Sequence, residues 1–461
     1  MQIKGYMDSI DIKHVSGWAI DFEHPDEILY VKVMLGEQLL GIIPANLYRD
    51  DLLKAGIPRA NCMFLFRFPR QVPASQLLQV KVIPADSGCP LAGSLTDFQS
   101  YCAGRFFPYY RGFEYTWWDI ECFEEEADSF LLTGDINLPD GSSEPRFVIN
   151  GYDEAYLEVG IPTRGRARSF WYVDRHDTLG YRATIPVDKT SQFNDVSLYY
   201  RDAVGRVTER PVVRFPSDKR FQSLIPPSEE LTRIIGPTTF PYGSFIVGGA
   251  TAVMMIQFLL KKYLGHSAAR YKTVLDWGCG CGRATWALAE MLPHADIIGM
   301  DIDEQNLNHA RSIIPRATFQ VSGLYPPLFL KSGAVDLVYS ESVFTHLSET
   351  AQNLWLAELD RILAPGGVAI ITLQLEVTTL SLSFDIESIR TYFASGIEDH
   401  VRDSALTGII ADENYYRATV HTTEYVKKHW GEVFDIVGIA PGLSGGHQDA
   451  VVCMKRSPKQ F

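Results

Sequence analysis

The sequence predicts two antiparallel β-sandwiches followed by an α/β doubly wound domain that closes with an antiparallel hairpin. Three observations carry this reading. Apolar residues alternate with period two through the first 215 residues, strands alternate with helices after residue 230, and 461 residues suffice for about three domains of roughly 150 residues each. Hydrophobic residues make up 46% of the chain and charged residues 21%, which is ordinary globular usage and excludes disorder as the main state.

In the first sandwich, residues 1–105, Val31, Val33 and Leu35 and then Val80 and Val82 alternate between turn residues such as Gly36, Pro84 and Gly88. The second, residues 106–216, contains FLLTGDINL, a Pro139-Asp140-Gly141 turn, RFVIN, DVSLYYRD and a return at GRVTERPVV. An offset of 117 residues aligns the strand ends at Pro69 and Pro186 and the glycines Gly88 and Gly205, which suggests an internal repeat. Residues 217–240 read as a linker, because prolines and polar residues interrupt the pattern. From 241 to 461, TVLDWG, IIGMD, VDLVYS and GVAIITL read as strands, with RATWALAEML, EQNLNHARSII and QNLWLAELDRIL as the helices between them. That order gives a parallel sheet covered on both faces. FDIVGIAP and QDAVVCMKR form the closing hairpin.

The charge balance, 42 Lys+Arg against 56 Asp+Glu, gives −14, so the surface repels a phosphate backbone and no nucleic-acid partner is expected. The start, MQIKGYMDSIDIK, lacks the apolar run of a secretory signal. The 7 cysteines are scattered without metal-ligand pairing, as in a reduced cytoplasmic chain. FIVGGATAVMMIQFLL, from Phe245, is uncharged but shorter than the ~20 residues a bilayer requires, and it reads as a buried helix rather than a transmembrane segment.

The chemistry concentrates in Asp276-Trp277-Gly278-Cys279-Gly280-Cys281-Gly282-Arg283, between a strand and a helix. Glycines at alternate positions allow a tight turn and close approach of backbone to a ligand. The next strand ends in Asp301, where a carboxylate can accept two hydroxyl hydrogen bonds from a ribose. This pairing indicates a nucleoside cofactor, and by itself it suits NAD or FAD as well as other nucleosides.

VLDWGCGCGR, IGMDID, VDLVYSESVFTHL and RILAPGGVAIITL, in that order over residues 240–455, resemble the class I S-adenosylmethionine-dependent methyltransferases, and the tail GGHQDAVVCMKR is similar to members from bacterial glycan and secondary-metabolite pathways. The resemblance implies S-adenosylmethionine as cofactor, with Asp276, Gly278, Cys279, Gly280 and Gly282 along its methionine and ribose part and Asp301 on the ribose hydroxyls. Ile302 would flank the adenine. Ser322, Gly323 and Leu324 stand where relatives carry an acidic residue for the adenine amino group; none is present here, which leaves backbone recognition. Ser340 is expected beside the sulfonium, and Tyr242, with Phe245, over the cofactor.

Alignment of an acceptor with the methyl group supplies much of such a reaction's rate, and an alcohol acceptor also needs a base. The candidates are His346, Glu341, His421 and His447, with Asp449 as an orienting partner. Each histidine has a structural alternative, since a histidine equally caps a turn or faces solvent. Cys279 and Cys281 are explained by the glycine loop, and no metal is assigned. Trp117, Trp118, Trp171 and Tyr172 could stack on sugar rings, but at strand spacing they read as core.

Gly5, Asp8, Gly17-Trp18-Ala19 and Arg49-Asp50, within residues 5–69, resemble a β-sandwich found beside bacterial glycosyltransferase domains. That resemblance implies a glycan-assembly setting, with a sugar or glycan precursor as acceptor, its hydroxyl O-methylated during surface polysaccharide synthesis, and glycan-assembly proteins as partners. Methylation of a small metabolite or peptide, and a non-catalytic binding module, are the alternatives.

Overall fold

The computed structural model describes residues 2–10, 13–72, 76, 79–91, 115–122, 129–163, 177–235, 238, 240–376, 379, 392, 394–403, 412, 415–444 and 448–456. They fall into two compact units, the first drawn mainly from Met1–Phe113 and Pro162–Leu179, the second from Glu114–Ile161, Gly180–Leu382 and Thr391–Phe461.

The first unit holds β1 (Ile3–Ile10), β2 (His14–Asp21), β3 (Tyr30–Leu35), β4 (Gln38–Pro44), β5 (Leu47–Tyr48), α1 (Asp50–Lys54), β6 (Asn61–Arg67) and β7 (Val80–Pro84). Antiparallel pairing gives one sheet in the order β1-β2-β6-β5 and another in the order β4-β3-β7. The alternating valines behave as expected, with Val31, Val33, Val80 and Val82 all fully buried. The sheets meet where Gly41 lies against the Phe66 ring: a Cβ there would stand 2.5 Å from Cε2. Two landmarks of the amino-terminal resemblance, Asp8 and Arg49, form an ion pair.

The second unit opens with β8 (Tyr115–Cys122), β9 (Ser129–Asn137), β10 (Ser143–Ile149), β11 (Asp153–Glu154), β12 (Tyr156–Ile161), β13 (Gly180–Pro186), β14 (Phe193–Arg201) and β15 (Val207–Pro216). Their antiparallel sheets run β12-β13-β9-β8 and β11-β10-β14-β15. Rings meet between them: Phe130 and Phe215 centroids are 4.0 Å apart, and Phe147 and Tyr181 stand edge to face at 5.2 Å. The proposed repeat does not carry through the topology, because β7 is the edge of a three-stranded sheet whereas β14 is interior to its own.

The unit continues through α2 (Ser228–Ile235), α3 (Gly248–Leu264), β16 (Thr273–Trp277), α4 (Arg283–Met291), β17 (Asp296–Asp301), α5 (Glu304–Ile313), β18 (Ala317–Val321), β19 (Val335–Ser340), α6 (Glu349–Ile362), β20 (Leu363–Leu373), β21 (Ile397–Arg402), β22 (Arg417–His421), α7 (Thr423–His429), β23 (Phe434–Ser444) and β24 (Gln448–Lys455). Seven strands form one sheet, β18-β17-β16-β19-β20-β24-β23, in which the first five are parallel and β24 is antiparallel to both neighbours. The α/β region and its closing hairpin therefore match the expectation. Strand order reverses between β16 and β19, so the loops leaving them open a crevice at their carboxyl ends.

The apolar run from Phe245 is a helix of this unit: Ala250, Val253, Ile256 and Leu260 are fully buried. The helical stretch that contains it, Gly243–Leu264, is long and apolar enough to cross a membrane, yet 78% of its apolar window is inside the protein. One face packs on β15, where Thr251 Oγ1 accepts a hydrogen bond from Arg214 N at 2.9 Å. The stretch read as a linker is itself packed, with the Phe221 ring stacked on Phe193 at 5.8 Å and 4.8 Å from Trp286 of α4. One continuous core thus joins the middle sheets to the α/β region.

Candidate active site

The loops after β16, β17, β18 and β19, together with Tyr415 and Tyr416 ahead of β22, enclose a cavity of about 170 Å³. Its first wall is backbone. Gly278, Gly280 and Gly282 adopt φ of 78°, 54° and 87°, left-handed values that side-chain-bearing residues rarely take. A Cβ on Gly278 would stand 2.1 Å from Val343 Cγ2, so the loop can lie against the bend after β19 only as glycine. Asp301 ties the turn: its Oδ2 accepts from Gly280 N at 2.7 Å and its Oδ1 from Asp303 N at 2.9 Å. Each carboxylate oxygen keeps a further lone pair for a ligand. Burial pushes the Asp301 carboxyl up, and those two backbone donors partly offset it.

Asp276 is buried at the end of β16 and accepts a hydrogen bond from Thr285 Oγ1 at 2.6 Å. Desolvation raises its pKa to about 7, with the nearby Glu341 and Asp301 charges adding to the effect. Across the cavity Arg283 pairs with Glu341 at 2.8 Å, and Ser444 Oγ donates to the other oxygen of Glu341 at 2.8 Å. Glu341, a candidate base, is held as half of an ion pair.

His346 follows β19 in a short turn and lines the cavity. Its ring stacks on Tyr416 at 4.3 Å with an interplanar angle of 8°, and its Nδ1 lies 3.2 Å from Asp403 Oδ2. Backbone contacts fix this group, since Asp403 N donates to Tyr416 O at 3.1 Å and Tyr416 bridges to Leu347. Trp355 Nε1 donates to Tyr415 Oη at 2.9 Å, adding a second aromatic side.

Of the residues expected at the site, Asp276, Gly278, Cys279, Gly280, Asp301, Ile302, Ser322, Glu341 and His346 line this cavity. Others do not. Gly282 instead caps α4 and packs against Ile314, where a Cβ would come within 2.5 Å of Cδ1. Gly323 lies off the wall, and the Leu324 carbonyl is engaged by Trp355 Nε1 at 3.2 Å. Ser340 is fully buried in β19; its neighbours Tyr339 and Glu341 face the cavity, as strand alternation requires. Tyr242 is core, with its hydroxyl donated to Asp218 O at 3.0 Å. His421 is fully buried with Nε2 2.8 Å from Gln352 Oε1; desolvation lowers its pKa to about 3, so it stays neutral and outside the cavity. Asp449 accepts from Leu375 N and Gly442 N, both at 2.6 Å, which makes it a strand-edge tie rather than an orienting partner. Burial pushes up both thiols of the loop, Cys281 to about 12, which disfavours the thiolates a metal would need. His447, Trp171 and Tyr172, and the side chains of Trp117 and Trp118, lie outside the described residues.

Sequence reading missed Asp403, Tyr415, Tyr416, Arg283 and Asn306. Only the adjacent tyrosines in NYYRATVH, before a strand that returns to the site, offered a signal.

Residues 274–367 match the sequence family described as "Methyltransferase domain". Among curated relatives, a trans-aconitate 2-methyltransferase of Azoarcus sp. (strain BH72) is 35% identical over 96 residues, 21% of this chain and 36% of that protein. The enzyme of the same name from Variovorax paradoxus (strain S110) is 35% identical over 114 residues, 24% of this chain and 41% of its own. The chain thus spans about two-fifths or less of these relatives. Among solved structures, a SAM-dependent methyltransferase from Methanosarcina mazei aligns with 15% identity and a TM-score of 0.31 over 40% of this chain and 93% of its own. A 1,6-didemethyltoxoflavin-N1-methyltransferase of Burkholderia thailandensis, solved with S-adenosylhomocysteine, aligns with 16% identity and a TM-score of 0.32 over 45% and 79%. The chain carries a methyltransferase domain, and the cofactor of that domain is S-adenosylmethionine. Its site fits the cofactor in kind: a glycine cradle that a Cβ would fill, and a carboxylate fixed by backbone donors with lone pairs to spare.

Proposed function

We propose that this chain O-methylates a hydroxyl of an uncharged acceptor, a sugar or glycan precursor, with His346 as general base. The observation that carries the reading is that His346, which lies 3.2 Å from Asp403, lines the same cavity as the glycine cradle. S-adenosylmethionine bound there supplies an electrophilic methyl group. Gly278, Gly280 and Asp301 hold its nucleoside part, and Asp276 faces the amino end.

The protein's own part is alignment, exclusion of water and movement of one proton. The Asp403 carboxylate beside Nδ1 favours the tautomer with hydrogen on that nitrogen, leaving Nε2 to accept the acceptor's hydroxyl proton. Asp403 then stabilises the imidazolium. Tyr416 holds the ring in plane, and Trp277, Trp355 and Leu347 make the surrounding wall apolar.

Charge argues for an uncharged acceptor. The described lining carries Asp276, Asp301, Asp303 and Glu341 against one guanidinium, Arg283, already paired with Glu341. A polycarboxylate such as trans-aconitate, which the curated relatives' names give as their substrate, would meet net negative charge. The glycan setting draws on the amino-terminal resemblance, which covers the first sheet pair alone and in which that pair acts as a sandwich module that binds acceptor or assembly partners.

The test is methyl transfer from labelled S-adenosylmethionine to a panel of neutral sugars, nucleotide-sugars and trans-aconitate. Transfer to a hydroxyl is expected, with His346→Ala lowering kcat by roughly 10²–10³-fold while cofactor affinity holds within twofold. Transfer to trans-aconitate alone, or an undiminished kcat in the variant, would overturn the reading.

A further inference from the structure

We propose that Gln352 is a positioning residue for the methyl-transfer step: a buried amide, oriented by His421, that clasps both ends of the turn carrying His346. This rests on the reading of His346 as the base, and it gives a task to the two buried polar side chains behind that base.

Gln352 lies one turn into α6 and is 1% exposed. Its Nε2 donates to Phe344 O at 2.9 Å and to Leu347 O at 3.0 Å, the two carbonyls that bracket Thr345 and His346. Both amide hydrogens are thus used, which leaves Oε1 to face His421 Nε2 at 2.8 Å. An amide oxygen needs a donor there, and a neutral imidazole carries one N–H, so the chemistry assigns that hydrogen to Nε2. Desolvation of the fully buried ring lowers its pKa to about 3 and keeps it neutral. Nδ1 is then a bare acceptor, buried and without a partner among the described residues. A phenylalanine would fill the space without that cost. What histidine adds is the proton held toward Gln352.

β22 grips the same turn by a second route. Thr419, two residues before His421 and on the same face of the strand, donates its hydroxyl to Leu347 O at 2.8 Å, and Tyr416 bridges to Leu347. Both routes hold backbone rather than the His346 ring. They set where its Cα–Cβ bond points, and the Tyr416 stack and Asp403 then take the ring. Gln352 and His421 are absent from the cavity lining, so their loss moves the base and leaves the glycine cradle as it was. The effect belongs in turnover rather than in cofactor affinity, since a displacement of about 1 Å can cost about 10²-fold in rate.

The experiment is a double-mutant cycle on the full chain. Turnover is methyl transfer from labelled S-adenosylmethionine to the neutral sugar or nucleotide-sugar that accepts it, per site counted by titration with S-adenosylhomocysteine. Gln352→Leu is expected to lower kcat roughly 10–100-fold with cofactor affinity held within about twofold. In a His346→Ala background the same change costs no more than about twofold, because the group it places is gone. His421→Phe lowers kcat roughly tenfold, and His421→Gln, which keeps an N–H at the reach of Nε2, restores it to within about threefold of wild type. This second pair decides the matter should Gln352→Leu fail to fold. Equal losses in both backgrounds would make Gln352 a fold contact and overturn the proposal; so would a His421→Gln no faster than His421→Phe. Nitrogen-15 spectra of histidine-labelled protein read the His421 tautomer without any acceptor: hydrogen on Nε2 is expected, and hydrogen on Nδ1 overturns the proposal. If His346→Ala alone keeps full turnover, the base reading itself has failed and this inference falls with it; a slow His346→Ala beside an undiminished Gln352→Leu defeats this inference alone.

Discussion

The two walls of the cavity are built in different ways. The wall proposed for the cofactor comes from consecutive loops between Asp276 and Ser322, shaped by backbone: Gly278 and Gly280 at positive φ and a carboxylate that binds two N–H groups. The wall proposed for the acceptor is made of side chains from distant segments, His346 after β19, Asp403 after β21 and Tyr416 before β22, brought together by an isolated bridge and a backbone hydrogen bond. Backbone constraints of the first kind leave marks in sequence, because only certain residues tolerate them. Packing of the second kind leaves few, since many residues can line an apolar wall.

The sharpest way to break this contrast is to remove the carboxylate on which the first wall depends. Asp301→Ala strands Gly280 N and Asp303 N in a buried site and deletes the ribose acceptor, so cofactor affinity should fall by 100-fold or more by titration. Stability should drop as well, measured by thermal unfolding. Full binding in this variant would show that the glycine loop holds its shape without Asp301.

On the second wall the corresponding change is milder, because Asp403 acts through His346. Asp403→Asn preserves shape and removes charge, and kcat should fall roughly tenfold with acceptor KM and cofactor affinity unchanged. A change in KM alone would make Asp403 part of the acceptor's binding surface instead.

The same contrast explains what could be read from the chain. The strand–helix alternation, the hairpin and the loop from Asp276 to Gly282 were legible because periodicity and glycine spacing are local properties. Motif position points Ser340 and Tyr242 to the cofactor, but strand alternation turns Ser340 inward and the Asp218 carbonyl engages the Tyr242 hydroxyl. His421 belongs to a segment expected to form the substrate wall, yet its strand buries it against Gln352. Phe221 shows the limit at the domain scale, for a proline-rich, polar stretch looks like a linker whether or not the Phe221 ring docks on Trp286.

A smaller effect distinguishes the walls by pH. Burial holds the Asp276 carboxyl at about 7, far above its ordinary 3.8, so without ligand the folded protein retains a proton there that the unfolded chain releases. The free protein should therefore lose stability as pH rises from about 4 to about 7, then level off. Cofactor binding should run the other way if the ionised carboxylate receives the amino group of the methionine part: affinity rises about tenfold between pH 6 and 8, as the ionised fraction grows, and is flat above that. Titration of S-adenosylhomocysteine across this range, with Asp276→Asn beside wild type, measures it. The variant should bind more weakly at pH 8 and lose the slope. A slope that persists in Asp276→Asn would assign the titration to another group in the cavity, and none in wild type would mean that Asp276 stays protonated with ligand bound and serves the loop through Thr285 alone.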